Sequence, residues 1–471
     1  MKKILTFLMA LVLSFSLFAC SPKESGTSET GGDTGNRTIW IAFAENGYGR
    51  EYLEAWIDAF QKAYLDEGWE FELEGDPEVT GEIYTRLSNN NDIPDLFFGL
   101  ETSWQQWALR KYLEPLDDVY AAPADENLTI EQFLRPEALR FGKVREHYYA
   151  IPWSDSANGF IYNVKMFREN GWEVPKTVNE LYALCDKINN LAVNKDSDKN
   201  NDVAPFAWGG QVISYWDFVV QQWWAQYEGA ENYNKFFTYS SPDVFAQRGR
   251  LEALKVFEKL VVGTGGEPKN SYDGAMSDSH ILSQMAFLQG KAAMIPMGGW
   301  METEMKKTLP DGFEMAMMPT PFIDGAKTDA NGNPIQVNCS SAGDFFVLPK
   351  NAPNKEGAKK FLKFINTREM CYEYTRRTGV MRPFNYKPSE IPNLQATAFA
   401  KSCLDIYENS VTLYQFSDSP LFWLNYCNKW AGIGAPYGRM VQDNETAEAM
   451  FNEEIANVNS LWNRWKSDAG L

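Results

Sequence analysis

Two hydrophobic periods alternate along the first hundred residues. Thr38 to Ala44 (TIWIAFA) is a short, nearly continuous apolar run, which predicts a buried strand. Arg50 to Glu67 then places Leu53, Trp56, Ile57, Phe60 and Tyr64 at i, i+3, i+4, i+7 and i+11, one face of a helix. Glu70 to Leu73 predicts a second strand and Glu82 to Asn89 a helix. Asp95 to Phe98, behind Pro94, predicts a fully buried strand, and Trp104 to Lys111 another helix. Strands alternating with helices predict an α/β fold with a parallel sheet and crossover helices. Ligands of such sheets sit beyond the carboxyl ends of the strands. Here those ends are the loops Glu45-Asn46-Gly47 and Gly99-Leu100-Glu101-Thr102, which makes Glu45 and Glu101 candidate ligand contacts.

From Pro175 to Val262 the pattern is mostly helical. Pro205 to Gly229 holds Trp208, Trp216, Trp223 and Trp224. Positions 216, 219, 220, 223 and 227 share one helical face, which assigns Trp223 and Tyr227 to core packing. Trp208, beside Gly209-Gly210, and Trp216, at the helix start, read either as core or as rings facing a ligand.

The chain opens differently. Two lysines precede a 15-residue apolar run, Ile4 to Phe18, followed by small Ala19. This is the layout of a secretory signal over residues 1–19, and the run is shorter than the roughly 20 apolar residues of a spanning helix. Leu17-Phe18-Ala19-Cys20 resembles the bacterial lipobox, which implies that Cys20 is diacylated and becomes the new N-terminus. Ser21 to Asn36 has no large apolar residue. It reads as a flexible tether with a reach of roughly 20–24 Å. Two acyl chains suffice for lasting attachment. The expected location is the outer face of the cell membrane, held by the lipid alone.

Composition narrows the function. Of 471 residues 44 % are apolar, enough for a real core. Lys and Arg total 44 against 63 Asp and Glu, a net charge of −19 at pH 7. That acidity argues against nucleic acid as a partner and against a polybasic hold on lipid. The two histidines, His147 and His280, exclude a His-rich zinc site and an HExxH protease. Phosphate-cradling GxxxxGK[ST] and nucleophile GxSxG signatures are absent. Beyond Cys20, five widely spaced cysteines with no CxxC read as small buried hydrophobes rather than a disulfide framework. Asn194 to Asp202 (NKDSDKNND) sets oxygen side chains at alternate positions, so Asp196, Asp198, Asn200 and Asp202 suit a calcium loop. It lacks the EF-hand's turn glycine and final glutamate, and Lys195 and Lys199, interleaved with the acids, favour a solvated polar turn. No other cofactor is expected. The 16 Trp, 22 Tyr and 30 Phe suit a surface that covers the apolar faces of sugars.

Later segments carry a family resemblance. Gly142 to Asn163 (GKVREHYYAIPWSDSANGFIYN) has a YAIPW strand, a polar loop and an aromatic–Tyr–Asn strand. Val174-Pro175-Lys176-Thr177 turns into a helix at Glu180-Leu181. Phe287 to Trp300 (FLQGKAAMIPMGGW), Ala342 to Lys350 (AGDFFVLPK), Ala358 to Thr367 (AKKFLKFINT) and Thr378-Gly379 follow in order. Together these resemble the extracellular solute-binding proteins of bacterial carbohydrate ABC transporters, the family 1, maltose-binding-protein-like receptors. The resemblance implies a two-lobed type II fold of the periplasmic-binding-protein kind, with the ligand cleft between hinge-linked lobes. Placed on this chain, the first lobe is 37–150 plus 298–342 and the second 151–297 plus 343–471. The hinges fall near Ile151-Pro152, Met297-Gly298 and Gly343. It further implies a monomeric, non-enzymatic receptor that delivers a sugar, most naturally an oligosaccharide, to ABC permease subunits.

Candidate contacts follow from sugar chemistry, in which rings cover CH faces while carboxylates, amides and guanidinium groups bond hydroxyls. Trp300, after Gly298-Gly299 at a strand's end, is the expected platform. Trp153 and Asp155 lie on the crossing loop, Asp344 follows a run of small residues, and Arg377 adjoins Thr378-Gly379. Two alternatives remain open: an anchored glycoside hydrolase, which needs two carboxylates about 5–5.5 or 6.5–9.5 Å apart, and a receptor for a non-sugar solute.

Overall fold

The computed structural model describes residues 36–45, 47–100, 103–195, 198, 202–340, 343–424, 430 and 435–471. In β1 (Thr38–Phe43) the alternate side chains Ile39, Ile41 and Phe43 are all fully buried. Helix α1 (Glu51–Ala63) buries the predicted stripe Leu53, Trp56, Ile57 and Phe60. It ends before Glu67 because Tyr64 leaves helical geometry and a 3-10 turn, Leu65–Glu67, closes on left-handed Gly68 (φ 66°). Next come β2 (Glu70–Gly75), α2 (Val79–Asn89) and β3 (Leu96–Gly99). Both β2 and β3 pair in parallel with β1, as the alternation predicted.

Further strands are β4 (Ala150–Pro152), β5 (Asn158–Asn163), β6 (Ala204–Phe206), β7 (Ala292–Gly298), β8 (Met315–Met318), β9 (Val337–Ser340), β10 (Phe345–Val347) and β11 (Val411–Tyr414). One sheet has the order β2-β1-β3-β10-β4 and a second the order β8-β5-β7-β6. Each is the centre of one lobe. In the first, β10 runs antiparallel between β3 and β4, with Phe346 opposite both Phe98 and Ile151.

This sheet membership corrects the expected lobe boundaries. Residues 315–318 pair with β5 in the second sheet, while 345–347 lie inside the first, the reverse of the expected assignment. The helices Lys355–Ile365 and Arg368–Thr378 also pack on α1: Phe60 meets Phe361 and Phe364 at 5.3 and 5.4 Å, and Trp56 stacks on Tyr374 at 5.6 Å. An apolar run identifies a strand but not the sheet that will bury it. Met297-Gly298 ends β7, and the chain continues through Met301–Glu304 to β8 in the same sheet, so it does not cross there.

Among the described residues three stretches cross: 153–157, 319–340 with 343–344, and 379–397. Trp153 N–H donates to the Asp344 carbonyl at 3.2 Å, and Asp155 N–H to the Met381 carbonyl at 2.9 Å. The Arg382 guanidinium, fully buried, donates to the carbonyls of Trp153 (3.0 Å) and Ile365 (2.6 Å) and to Asn366 Oδ1 (2.6 Å). It also lies over Trp56 and Phe384 at 5.1 and 4.8 Å. Cys185, Cys339, Cys371 and Cys403 are buried thiols, with no disulfide among the described residues. No helix among those residues is long and apolar enough to cross a membrane.

Arg382→Met should orphan three buried acceptors at about 1–3 kcal/mol each. The expected loss of unfolding free energy is about 3 kcal/mol or more, read as a lower urea midpoint at unchanged slope. An unchanged midpoint contradicts the role given to this guanidinium.

Candidate functional site

Between the lobes lies a cleft of about 1230 Å³. The first lobe supplies the loops that follow β1, β2 and β3, through Glu45, Tyr48, Pro77 and Leu100. These are carboxyl ends of parallel strands, the position the α/β pattern predicted. The second lobe supplies Tyr215, Asp217, Phe218 and Trp300, and Asp344 comes from the end of a crossing segment.

Trp300 is the half-buried aromatic wall. Its indole meets Tyr48 edge-on at 6.1 Å and 72°, and Phe218 at 5.4 Å and 79°. Two glycines make room for it. A Cβ on Gly47 would fall 2.5 Å from Trp300 Cδ1, and one on Gly298 would lie inside the indole's contact shell. The ring thus lies against bare backbone from both lobes, and Gly298 is two residues away from the ring it admits.

Polar groups surround this wall. Asp344, 8 % exposed, accepts a hydrogen bond from Ser154 Oγ at 2.7 Å, so the two crossing segments share it. Burial, with the Asp344 charge second, pushes the Tyr48 phenol well above its ordinary range, so it remains protonated. Glu45 pairs with Arg50 at 2.8 Å. Glu304 accepts from Gln284 at 2.6 Å, with His280 Nε2 3.7 Å away. Asp217 accepts from the Tyr437 hydroxyl at 2.5 Å. The carboxylates Asp344, Asp217 and Glu304 accept only, which suits a ligand that presents hydroxyl donors.

Of the residues singled out in the sequence, the structure brings Trp300, Asp344 and Glu45 to the cleft. Five others lie elsewhere. Trp208 is buried and donates to Ser271 Oγ at 2.8 Å, because Gly209 and Gly210 let its loop fold against residues 276–279. Trp216 is fully buried among Phe160, Phe206 and Phe257. Trp153 packs inward against Phe98 and Phe346. Asp155 is buried and accepts from the hydroxyls of Tyr407 and Tyr414, which tie the crossing loop to the C-terminal segment. Arg377 is half exposed and pairs with Glu373 one turn back on its own helix at 2.7 Å. Glu101 and Cys20 lie outside the described residues. So do Asp196 and Asn200 of the proposed calcium loop; of that loop Asp198 and Asp202 are described. Asn194 instead clamps backbone, bonding Ile188 and Val203. Among the described residues no group of three or more His, Cys, Asp or Glu is placed to hold a metal.

Sequence reasoning missed Tyr48, Phe218 and Trp430. Tyr48 had a usable signal, since it sits between Gly47 and Gly49 in a strand-end loop. Phe218 faces away from the helical stripe that names the core, and Trp430 reaches the cleft from the far end of the chain.

The comparisons with known proteins agree with this geometry. The family model described as bacterial extracellular solute-binding protein matches residues 55–401. The chain is 23 % identical over 379 residues to the diacetylchitobiose binding protein NgcE of Streptomyces coelicolor, covering 77 % of this chain and 76 % of that protein. Among solved structures it superposes on RafE in complex with raffinose with a TM-score of 0.59 at 17 % identity, covering 89 % of this chain and 99 % of that one. The GacH receptor of Streptomyces glaucescens, solved unliganded and with acarbose, gives 0.62 at 16 % identity, covering 92 % and 98 %. The fold is the two-lobed type II α/β architecture of solute-binding proteins, and this chain belongs to the bacterial extracellular solute-binding protein family.

Proposed function

We propose that this protein captures a neutral oligosaccharide outside the cell and hands it to the permease of an ABC importer. The observation that carries the reading is the inter-lobe cleft walled by Trp300, with Tyr48 and Phe218 setting its angle and acceptor carboxylates around it. A volume of about 1230 Å³ exceeds the roughly 300–1,000 Å³ of drug-sized pockets, which leaves room for more than one pyranose. The relatives named above carry oligosaccharides in their names or titles, which supports the class without choosing a member.

Capture works by closure. Sugar binds one lobe first, and the second closes when its own contacts form. To move a closed state from 1:99 to 99:1, the ligand must favour it by about 5.5 kcal/mol. Asp344 stands where such a preference acts, since its carboxylate faces the cleft while its backbone and side chain bond the first crossing segment. We place Cys20 as the lipid-bearing residue, with the polar tether behind it, and the chain as a monomer that performs no chemistry on its guest.

A thermal-shift panel of neutral oligosaccharides should raise the melting temperature, because binding stabilises the native state by RT ln(1 + [L]/Kd). Amino acids or peptides shifting the melt while sugars do not would overturn the sugar class, and product formation during incubation would overturn the receptor.

Trp300→Ala should weaken binding of the sugar found by at least about tenfold, the scale of a buried aromatic hot spot. Gly298→Ala should weaken it too by displacing the ring, with a changed tryptophan fluorescence spectrum. Unchanged affinity in both variants would remove Trp300 from the site.

Cys20→Ser should move the protein from the membrane fraction to the medium. Retention in the membrane fraction would show another anchor.

A further inference from the structure

The chain after β1 and the chain after β7 meet in a regular seam. A Cβ on Gly47 would fall 2.5 Å from Trp300 Cδ1, and one on Gly49 would lie 3.7 Å from Thr303 Cγ2. Lys306 Nζ then stands 3.5 Å from Glu51 Oε1. Each step advances the first-lobe side from 47 to 49 to 51 and the second-lobe side from 300 to 303 to 306. Both sides lie outside the three crossing stretches. The seam's contacts therefore hold only while the lobes are together and break when they part.

Its last step differs from the other two. Those act at van der Waals range, whereas the Coulomb attraction of the third falls off only as 1/r and reaches across a partly opened mouth. Glu51 is set in advance for this role. It is the first residue of α1, and the hydrogen bond from its own backbone N–H, ahead of the Lys306 charge, holds its carboxyl below the ordinary range. Gly49 is left-handed (φ 67°), and a Cβ there would fall 2.5 Å from Glu51 Oε2, so this turn leaves the carboxylate its space. Neighbouring Arg50 is engaged on its own lobe, with Glu45 at 2.8 Å. A carboxylate already held by backbone loses less side-chain freedom when the lysine arrives, and that loss is what cancels many exposed pairs.

We propose that Glu51 and Lys306 form an electrostatic latch across the mouth of the cleft, which favours the closed form and makes retention of an uncharged ligand depend on salt. Such a ligand brings no charge to be screened, so the dependence belongs to the protein. The chain's net charge of −19 acts in the opposite sense, since screening the self-repulsion of an acidic molecule eases closure. The latch is therefore read as a difference between the wild type and its variants at one salt concentration. That the retained ligand is uncharged rests on the saccharide reading above; the pair itself does not.

A double-mutant cycle on the full chain tests it, with dissociation of the oligosaccharide found in the panel as the readout. Lys306 and Glu51 side chains are 72 % and 54 % exposed, so Lys306→Gln and Glu51→Gln open no core. At low salt each should speed dissociation roughly 1.5- to fivefold, the range of an exposed ion pair, and the double variant should go no faster than either. Lys306→Arg, which keeps the charge, should stay near the wild-type rate. In about 1 M salt, where the Debye length is about 3 Å, the differences should shrink towards none. Additive losses in the double variant show that each side chain meets the ligand separately and overturn the latch; so do unchanged rates, or differences that persist undiminished in high salt. If no saccharide binds, the sugar reading falls, and small-angle scattering of the ligand-free chain decides the latch instead. The wild type should then be more compact than Lys306→Gln at low salt only, and equal radii overturn the proposal.

Discussion

Among the described residues, each crossing between the lobes is tied to the short stretch Trp153-Ser154-Asp155. Arg382 donates to the Trp153 carbonyl from the third crossing, Asp344 bonds Ser154 from the second, and the tyrosines 407 and 414 hold Asp155 from beyond the third. Among the described residues Arg382 makes no ion pair. A buried guanidinium without a carboxylate is tolerable only where carbonyls and ring faces accept it on several sides, and here they do. The constraint has a geometric consequence. The crossing strands cannot shift singly, so relative motion of the lobes must turn about this bundle as a whole.

The cleft inherits its shape from that bundle. Asp344 ends the second crossing and Tyr48 follows β1, so the cleft-lining carboxylate and its phenolic neighbour are set by the same network that sets the lobes. Trp300 approaches from the second lobe and lies against Gly47 of the first. The aromatic wall is therefore shared between lobes. The rest of the aromatic inventory does a different job. Trp56, Trp104, Trp153, Trp216 and Trp223 are all in the interior, which shows that abundance of indole is a poor guide to its position.

Much of the first lobe was legible because its elements are simple. The stripe at Leu53, Trp56, Ile57 and Phe60 allows only one buried helix face, and the run TIWIAFA allows only a strand. Strand-end logic put Glu45 at the cleft, and the glycine pair before Trp300 marked a close approach of backbone to a ring. Trp208 defeated the same logic. It too follows a strand and adjoins two glycines, yet those glycines seat its loop on residues 276–279 and bury the ring. The local signals at Trp208 and Trp300 are alike; the neighbour that each glycine pair meets is not.

What the sequence determined alone was therefore everything with a short range: the period of each element, the acid balance, the presence of strand-end loops and the order of family motifs. Tertiary structure decided which sheet took each late strand. Met315–Met318 and Phe345–Val347 are both short apolar runs, and only pairing with β5 or with β3 and β4 separates them. It also decided that Asp155 is a bolt between crossings rather than a ligand contact, and that Trp430 reaches a cleft begun by residue 45. Pairing partners and enclosure depend on chain segments hundreds of residues apart, and no local pattern of side chains encodes that distance.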